Sequence, residues 1–543
     1  MSPLPEALAA WRAALGADAV LDDAGPRFTE ATTSIARRVP AVLRVRGADD
    51  VARALEIARR HRVPVYPVST GRNWGYGCAT PARDGCAILD LSAMDRIVEL
   101  DAELGLVTVE PGVTQGQLRA ELDRRGLDFM VPTTGAGPGC SLVGNALERG
   151  YGLTPEADHF GALTRLEAVL PDGTRYRSAL TELGGATVDG AYKWGVGPYL
   201  DGLFGQSNLG VVTQATIALR RRPERVEGFF LKVDDDARLE ETIAALREVM
   251  RALGGVLGSI NVLGRERVLA MTAPLPPVAR GAAVPSEIVA ALARRHGVGA
   301  WTCAGGLYGP RRLVAAARAE LRDRLGHLGA LRFVDRRRAR LLRRLAAALP
   351  FGWGARLGAT ARAVESTLEI LEGIPSDVAL RLAYWRSPVP PPADRPLDPG
   401  RDGCGLIWYA PLVPLAPAPV RTYVEMVRRV CAAHAIDPLV TLTVQSERCL
   451  DSSVPLLFDR ADPAHATRAL ACHAALLDAG RAEGFLPYRL PHHAMGALAG
   501  ASSSQALAAR IKDALDPDHV LAPGRYAVEP EAAVERRHAR SAR

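Results

Sequence analysis

The chain has 543 residues, which is longer than one ordinary hydrophobic core accommodates, so we expect two domains. Apolar residues make up 48% and charged residues 23%, proportions typical of a soluble globular protein, and the lack of any apolar run of 18 or more residues argues against a membrane span. The net charge of +7 comes partly from arginine clusters at 332–344 and 536–543, but the first lies on a helical pattern with Leu341, Leu342 and Leu345 that favours a solvated face, and the second lies in a charged, alanine-rich tail, so no nucleic-acid partner is expected.

Targeting and metal-binding signals are missing from the sequence. The first residues lack the basic and apolar regions of a secretory signal, so a cytoplasmic location is expected. The eight cysteines contain no CxxC pair and the eleven histidines form no HExxH motif, which disfavours both a metal site and a disulfide framework.

Hydrophobic periodicity assigns the elements of the N-terminal half. Helices are predicted over residues 5–15, 49–61 and 115–125, the last one capped by Thr114. Strands are predicted over residues 63–66, 87–91, 106–110, 163–170, 174–178 and 210–217. Two stretches, 67–77 and 131–150, fit neither pattern and are rich in turn residues, which indicates backbone laid against a ligand.

The first irregular stretch contains a glycine-rich loop, Ser69–Gly77, directly after a predicted strand. Glycine permits positive φ and close approach, so several backbone N–H groups can converge on one anion such as a diphosphate. The loop has neither the GxxxxGK[ST] of a P-loop nor the GxGxxG of a Rossmann turn, so it does not identify its ligand alone.

The second half of the chain has a different pattern. From about Val226 strands alternate with long amphipathic helices, including residues 239–253 and 313–328, and a proline-rich stretch at 388–399 interrupts them. We interpret residues 226–480 as a second domain.

Three blocks of the sequence have a specific order and spacing, and they are Ser69–Gly77, Val143–His159 and Gly197–Thr213. Together these blocks resemble the flavoprotein family of vanillyl-alcohol oxidase and p-cresol methylhydroxylase, which carries a PCMH-type FAD-binding domain. The segments 402–411, 487–489 and 521–525 resemble the same family more weakly. The resemblance spans most of residues 40–525. It implies a two-domain α+β fold, in which residues 1–225 and 481–526 form the FAD-binding domain, residues 226–480 form an inserted α/β cap, and residues 527–543 form a disordered tail.

The resemblance implies FAD as the cofactor and assigns residues to its binding. A pyrophosphate needs several N–H donors and little side-chain bulk, and the first block provides both. The later blocks imply contacts with the flavin and the adenine. The predicted FAD-binding residues are Ser69, Thr70, Gly71, Arg72, Asn73, Gly75, Pro132, Thr133, Gly144, Asn145, Glu148, Gly152, Gly210, Val212 and Arg525.

The same resemblance implies a catalytic group. Tyr76 and Tyr488 would bind a phenolate oxygen of the substrate, and Arg489 would stabilise negative charge on the flavin. Two tyrosines and an arginine around one oxygen would lower the pKa of a phenol. The implied activity is an FAD-dependent oxidase or dehydrogenase that takes a hydride from a small phenolic or other aromatic substrate under the cap.

Two carboxylates of the family are absent from their places in this sequence. An aspartate that acts near flavin N5 falls at Thr133 or Thr134, and a glutamate of the cap falls at Thr441. His493 is therefore the candidate base, with the adjacent His492 as the alternative. Two other functions remain open: a tailoring enzyme that oxidises a non-phenolic alcohol or amine in a biosynthetic pathway, and a flavin-binding protein without turnover.

The type of FAD attachment and the partners follow from the same comparison. The histidine that links FAD covalently in vanillyl-alcohol oxidase falls at about Gly405, so non-covalent FAD is favoured, with a tyrosyl link through Tyr384 or Tyr409 as the alternative. The expected partners are a small-molecule substrate, a second copy of the chain or more, and either dioxygen or a redox protein as electron acceptor.

Overall fold

The structure is a computed structural model, and it describes residues 4–348, 364–500 and 502–527 of the chain. Within these ranges the strands form three sheets of four, five and eight strands, covered by helices. This arrangement confirms the predicted α+β class. The tail predicted over 527–543 lies outside the described residues except for Ala527, as does the arginine cluster at 536–543.

The first sheet brings the glycine-rich loop to one edge of the fold. Its strands, in the spatial order β1-β2-β4-β3, are β1 Val20–Leu21, β2 Val42–Arg44, β3 Val65–Val68 and β4 Ala87–Asp90. Because β2 and β3 both pair in parallel with β4, their carboxyl ends lie at the same edge. Residues 69–77 leave the sheet there, at the end of β3.

The second sheet is antiparallel and carries the helix predicted after Thr114. Its strands, in the order β5-β6-β9-β7-β8, are β5 Ile97–Asp101, β6 Leu106–Val109, β7 Leu163–Val169, β8 Arg175–Arg177 and β9 Val211–Ala218. The helix Gln115–Arg124 begins at a capping box, in which Thr114 Oγ1 accepts from Gln117 N at 3.2 Å and Gln117 Oε1 accepts from Thr114 N at 2.8 Å. The predicted cap is therefore confirmed.

The third sheet contains the alternation predicted for the second half. Its strands are β10 Arg225–Val233, β11 Leu257–Gly264, β12 Trp301–Gly309, β13 Ala330–Val334, β14 Cys404–Tyr409, β15 Leu412–Pro414, β16 Thr441–Val444 and β17 Cys449–Asp459. Every pairing in this sheet is antiparallel. The two strands that one helix connects are not neighbours, because a third strand lies between them: β12 lies between β10 and β11, and β10 lies between β12 and β13. The alternation of strands and helices along the sequence therefore does not make neighbouring strands parallel.

Helices cover all three sheets. Besides Gln115–Arg124, the longer helices of the described ranges are Leu4–Leu15, Ala48–His61, Leu239–Ala252, Arg265–Thr272, Ser286–His296, Arg311–Leu325, Arg336–Ala348, Pro417–Ala433, Pro463–Glu483 and Ser503–Leu515. The shorter ones are Gly25–Thr29, Leu142–Leu147 and Ala179–Glu182, and residues 364–371 are also helical. None of these helices is long and apolar enough to cross a membrane.

The C-terminal segment returns to the first sheet. Leu521 forms a parallel bridge with Val65 of β3, and Val65 N donates to Val520 O at 2.8 Å. This contact places Arg525 near the loop that follows β3. The division into domains at residues 225, 480 and 526 remains a prediction.

Candidate active site

A cavity of about 390 Å³ lies where the glycine-rich loop meets the third sheet. Its walls come from three parts of the chain that are far apart in sequence: the loop after β3, the C-terminal segment and the third sheet. Its lining includes Tyr66–Trp74, Tyr76, Thr134–Ala136, Cys140, Ser141, Val143–Asn145, Leu147, Glu148, Gly210–Val212, Arg267, Ala379, Leu380, Leu382, Ala383, Leu406, Trp408, Ser453, Tyr488, Arg489, His492 and Arg525.

Tyr76 and Tyr488, here called the tyrosine pair, meet in this cavity. Tyr488 N donates to Ala410 O at 3.2 Å, which fixes the segment beside the end of β14. The guanidinium carbon of Arg489 lies 4.2 Å from the centroid of the Tyr76 ring. Burial raises the pKa of both tyrosine hydroxyls, so both remain neutral hydrogen-bond donors at neutral pH.

Glu148 connects the two arginines of the site. Its Oε2 lies 3.2 Å from Arg489 Nε and accepts from the Tyr526 hydroxyl at 3.0 Å, and its Oε1 accepts from Arg525 Nη2. Burial opposes ionisation of this carboxyl, but Arg525 and Arg489 together lower its pKa to about 2. Arg489 also donates from Nη2 to Asn73 Oδ1 at 2.6 Å, which joins the network to the glycine-rich loop.

The two candidate histidines lie in different places. His492 lines the cavity, and its Nε2 is 3.2 Å from the Tyr66 hydroxyl, which accepts from Arg525 Nη1 at 3.1 Å. Burial, reinforced by Arg525, lowers the pKa of His492 to about 3, so its ring is neutral. His493 lies outside the lining, 5.2 Å from the ring of His473, and burial lowers its pKa to about 4.

Residues 69–73, here called the anion cradle, all line the cavity. None of their five backbone N–H groups donates a hydrogen bond to the backbone of a described residue. The cradle is held from outside, since Thr70 Oγ1 accepts from Ser141 N at 3.1 Å. It also needs Gly144 beside it, because a Cβ there would lie 2.4 Å from Ser69 Oγ. Backbone N–H groups that have no acceptor in the protein are available to a ligand, so the cradle fits a bound anion.

Known proteins resemble this chain over nearly its whole length. The FAD binding domain family matches residues 39–179. The 1'-carboxy-chondrochloren decarboxylase of Chondromyces crocatus is 39% identical over 96% of this chain and 97% of its own length. The flavoprotein subunit of 4-cresol dehydrogenase (hydroxylating) of Pseudomonas putida is 29% identical over 96% of this chain and 95% of its own.

Solved structures agree with these sequences. The crystal structure of p-cresol methylhydroxylase with substrate bound has a TM-score of 0.84 at 26% identity and covers 97% of both chains. This chain belongs to the PCMH-type flavoprotein family. The isoeugenol complex of 4-ethylphenol oxidase from Gulosibacter chungangensis has the same fold, with a TM-score of 0.86 at 24% identity and coverage of 98% of both chains.

This PCMH-type flavoprotein is an FAD-dependent oxidoreductase, and the predicted cofactor and two-domain fold are confirmed. The anion cradle and the cationic Arg489 fit the group, since they offer N–H donors for a pyrophosphate and a fixed positive charge for a reduced flavin. When bound, FAD supplies the acceptor for a hydride. The predicted FAD residues that line the cavity are Ser69, Thr70, Gly71, Arg72, Asn73, Gly144, Asn145, Glu148, Gly210, Val212 and Arg525.

Four other predicted FAD residues of this flavoprotein lie just outside the lining. Gly75 O accepts from Trp408 N at 3.3 Å. Gly152 lies against the backbone of Thr133, since a Cβ added at Gly152 would come within 2.5 Å of Thr133 O. Pro132 and Thr133 directly precede Thr134, which does line the cavity. Their roles remain predictions.

The candidates for a tyrosyl link lie away from the cavity lining. The Tyr384 hydroxyl donates to Asp402 Oδ2 at 2.5 Å and accepts from Asp398 N at 3.1 Å. The Tyr409 hydroxyl packs against Gly480 of the helix Pro463–Glu483, since a Cβ added at Gly480 would lie 2.1 Å from it. Neither tyrosine is among the residues that line the cavity of this flavoprotein.

Sequence analysis missed two polar residues, one in the cavity lining and one outside it. Arg267 lines the cavity from the helix after β11, and only the fold reveals that position. Asp451 is buried in β17, both of its carboxylate oxygens have no hydrogen-bond partner among the described residues, and it acts on the pKa of both members of the tyrosine pair. A lone acidic residue inside an apolar strand pattern was the one available signal for Asp451.

Proposed function

We propose that this flavoprotein oxidises a phenol by moving a hydride from the benzylic carbon of the substrate to FAD. The observation that carries the proposal is the tyrosine pair beside Arg489 in the cavity wall. Two neutral hydroxyl donors and one permanent cation suit a phenolate oxygen, whose negative charge they would stabilise. A phenolate pushes electrons toward its para carbon and so weakens the benzylic C–H bond.

The charges around the site support the binding of substrate as a phenolate. Glu148 is ionised but balanced by Arg489 and Arg525, so the network as a whole carries one positive charge toward the cavity. Burial and Arg525 lower the pKa of His492 to about 3, so its ring stays neutral and acts as a hydrogen-bonding group rather than as a strong base. We favour His492 over His493 as the histidine of the site, because His492 lines the cavity and His493 does not. We also favour non-covalent FAD, because the Tyr384 hydroxyl is already bound to Asp402.

Anaerobic flavin reduction tests the proposal. With 4-ethylphenol, the FAD-loaded protein should lose its visible flavin absorbance, and Tyr488→Phe should slow this loss about 100-fold, as expected when one donor to a developing or bound oxyanion is removed. Tyr192→Phe is the control, because Tyr192 is 56% exposed and does not line the cavity. The proposal is wrong if no 4-alkylphenol reduces the flavin, or if Tyr488→Phe reacts as fast as the control.

A second candidate couples the same oxidation to loss of carbon dioxide. The Chondromyces crocatus relative is named a decarboxylase, and in the described part of the chain Glu148 is the sole carboxylate that lines the cavity. Because Glu148 is ion-paired, it is poorly suited to activate a water for hydroxylation. Hydride removal from 3-(4-hydroxyphenyl)propanoate would give a quinone methide of the substrate, and cleavage of the bond to its carboxylate would return the electron pair to the ring, giving 4-vinylphenolate and carbon dioxide. Detection of 4-vinylphenol would favour this candidate over hydroxylation.

A further inference from the structure

Arg267 is a half-buried cation in the wall of the cavity, and among the described residues it has no hydrogen-bonded or ion-paired partner. It lies in the first turn of the helix Arg265–Thr272, and its side chain lines the cavity. Its Nε and Nη1 atoms are shielded from solvent, yet its guanidinium makes no hydrogen bond or ion pair with any residue in the described ranges. The first turn of a helix is also where the helix dipole disfavours a positive charge.

The other buried arginines of the site are balanced, and this contrast is informative. Arg489 and Arg525 are equally enclosed, but both pair with Glu148. Burial lowers the pKa of Arg267 to about 9, and no neighbouring carboxylate opposes that change. The guanidinium is still charged at neutral pH, so its charge is left for a ligand to balance.

Arg267 and the tyrosine pair line the same cavity, so one ligand can contact both. Its guanidinium carbon lies 5.9 Å from the centroid of the Trp408 ring. Trp408 in turn donates from its backbone N to Gly75 O at 3.3 Å, next to Tyr76 in the loop. Because Arg267 and the tyrosine pair line one cavity, a ligand whose phenol oxygen lies at the tyrosine pair can present a second group to Arg267. The lining of the same cavity includes the apolar side chains of Leu380, Leu382, Ala383 and Leu406.

We propose that Arg267 binds a carboxylate of the substrate, so that the substrate is a phenol with a carboxylate on its para side chain. This inference rests on the proposed function for the phenol end. The planar guanidinium matches a carboxylate with two parallel hydrogen bonds, and the apolar wall excludes water that would weaken them. The FAD pyrophosphate has its own donors in the anion cradle, which leaves Arg267 to the substrate.

Binding of a matched pair of probes to the FAD-loaded protein tests the inference. The probes are 3-(4-hydroxyphenyl)propanoate and its primary amide, which share shape and phenol but differ in charge, and their dissociation constants are measured by calorimetry. The wild type should bind the acid at least tenfold more tightly than the amide. Arg267→Met should remove that preference by weakening the acid alone, and Arg267→Lys should restore part of it.

Arg265→Met is the matched control, because Arg265 lies on the same helix but outside the cavity lining. It should leave the preference for the acid unchanged. The inference is overturned if the wild type binds both probes equally or binds neither, if Arg267→Met weakens both alike, or if Arg267→Met lowers the FAD content of the purified protein, which would make Arg267 a cofactor contact.

Failure of the proposed phenol oxidation and failure of carboxylate binding by Arg267 give different results in these experiments. If the acid is preferred and Arg267→Met abolishes the preference, but no phenol reduces the flavin, carboxylate recognition stands and the proposed oxidation falls. If 4-ethylphenol reduces the flavin but the acid is not preferred, the oxidation stands and the role of Arg267 falls.

Discussion

Glu148 is the residue around which the cations of the site are arranged. It was predicted as an FAD contact from its place in the second block, but its carboxylate is already engaged by Arg489, Arg525 and Tyr526. These three residues come from two segments near the C-terminus, so one carboxylate positions the guanidinium that faces the tyrosine pair. We infer that Glu148 acts through Arg489 as a positioning residue, because its oxygens have protein donors.

Asp451 is the residue where we expect a pH-dependent stability. Burial raises the pKa of its carboxyl well above the usual range, with no hydrogen-bond partner for either oxygen among the described residues. The folded state therefore keeps a proton that the unfolded state releases above about pH 4, so folding weakens as the pH rises, by at most about 1.4 kcal/mol per pH unit. Asp451→Asn removes this proton uptake. Its melting temperature should exceed that of the wild type more at pH 8 than at pH 5.

Asp478→Asn is the control for this measurement, because Asp478 is an exposed residue of the helix Pro463–Glu483. Its difference from the wild type should be the same at both pH values. A wild type that gains stability over Asp451→Asn as the pH rises would contradict the prediction, since it would mean that Asp451 is ionised and paired.

At the scale of elements, periodicity predicted the helices better than the strands. The helices over 5–15 and 49–61 appear as Leu4–Leu15 and Ala48–His61, because a buried face repeats every three to four residues. Strand β3 begins at Val65 rather than at residue 63, since Val63 N still bonds back to Ala58 O. Strand β5, Ile97–Asp101, was not predicted because none of its residues is buried and its sequence has no apolar alternation.

The glycine-rich loop supplies a prediction at the element scale. Gly75 has φ +73°, and a Cβ there would lie 2.3 Å from Trp408 Cδ1, whereas Gly85 has φ +82° with no atom within 4 Å of its Cβ position. Gly85→Ala should therefore lower the free energy of unfolding by about 1–2 kcal/mol, because alanine disfavours the left-handed conformation. Gly75→Ala should lower it by about a further 1–3 kcal/mol, because the added Cβ overpacks Trp408. It should also raise the Kd for FAD about tenfold or more.

Thermal unfolding and FAD titration of the two variants measure this difference. Because the two glycines have nearly the same φ, their comparison isolates the contact with Trp408. Equal losses in both variants would mean that Trp408 moves freely and does not hold the loop.

At the scale of the whole molecule, the sequence predicted the FAD-binding blocks because each is a local motif of glycines and polar residues at a fixed spacing. It did not predict which distant residues would meet those blocks. Arg267 reaches the cavity through the helix after β11 and has no local signature in the sequence, whereas the place of Asp451 in the fold depends on the register of β17 against β16. The absence of the two carboxylates, at Thr133 or Thr134 and at Thr441, was readable from sequence, but its consequence depends on which other charges the fold brings into the cavity.

The return of the C-terminal segment is the long-range contact on which the site depends, and Lys512 holds it. Lys512 is fully buried, and its Nζ donates to Asp516 Oδ2 at 2.6 Å, Asn208 O at 2.7 Å and Leu521 O at 2.9 Å. Asp516 in turn accepts from Leu521 N at 2.9 Å, and Leu521 bridges to Val65 just before the anion cradle. One lysine thus joins the last helix, the third block and the first sheet.

Lys512→Met should destabilise the protein by about 3–5 kcal/mol, because it leaves Asp516 buried without its cation. It should also weaken FAD binding, since Arg525 follows the released segment and would no longer be held against Glu148. Arg510→Met is the matched control, because Arg510 is exposed on the same helix and should change neither quantity by much. Chemical unfolding and FAD titration of both variants decide the matter: a Lys512→Met protein that is destabilised but binds FAD as tightly as the control would show that the C-terminal return supports the fold without shaping the flavin site.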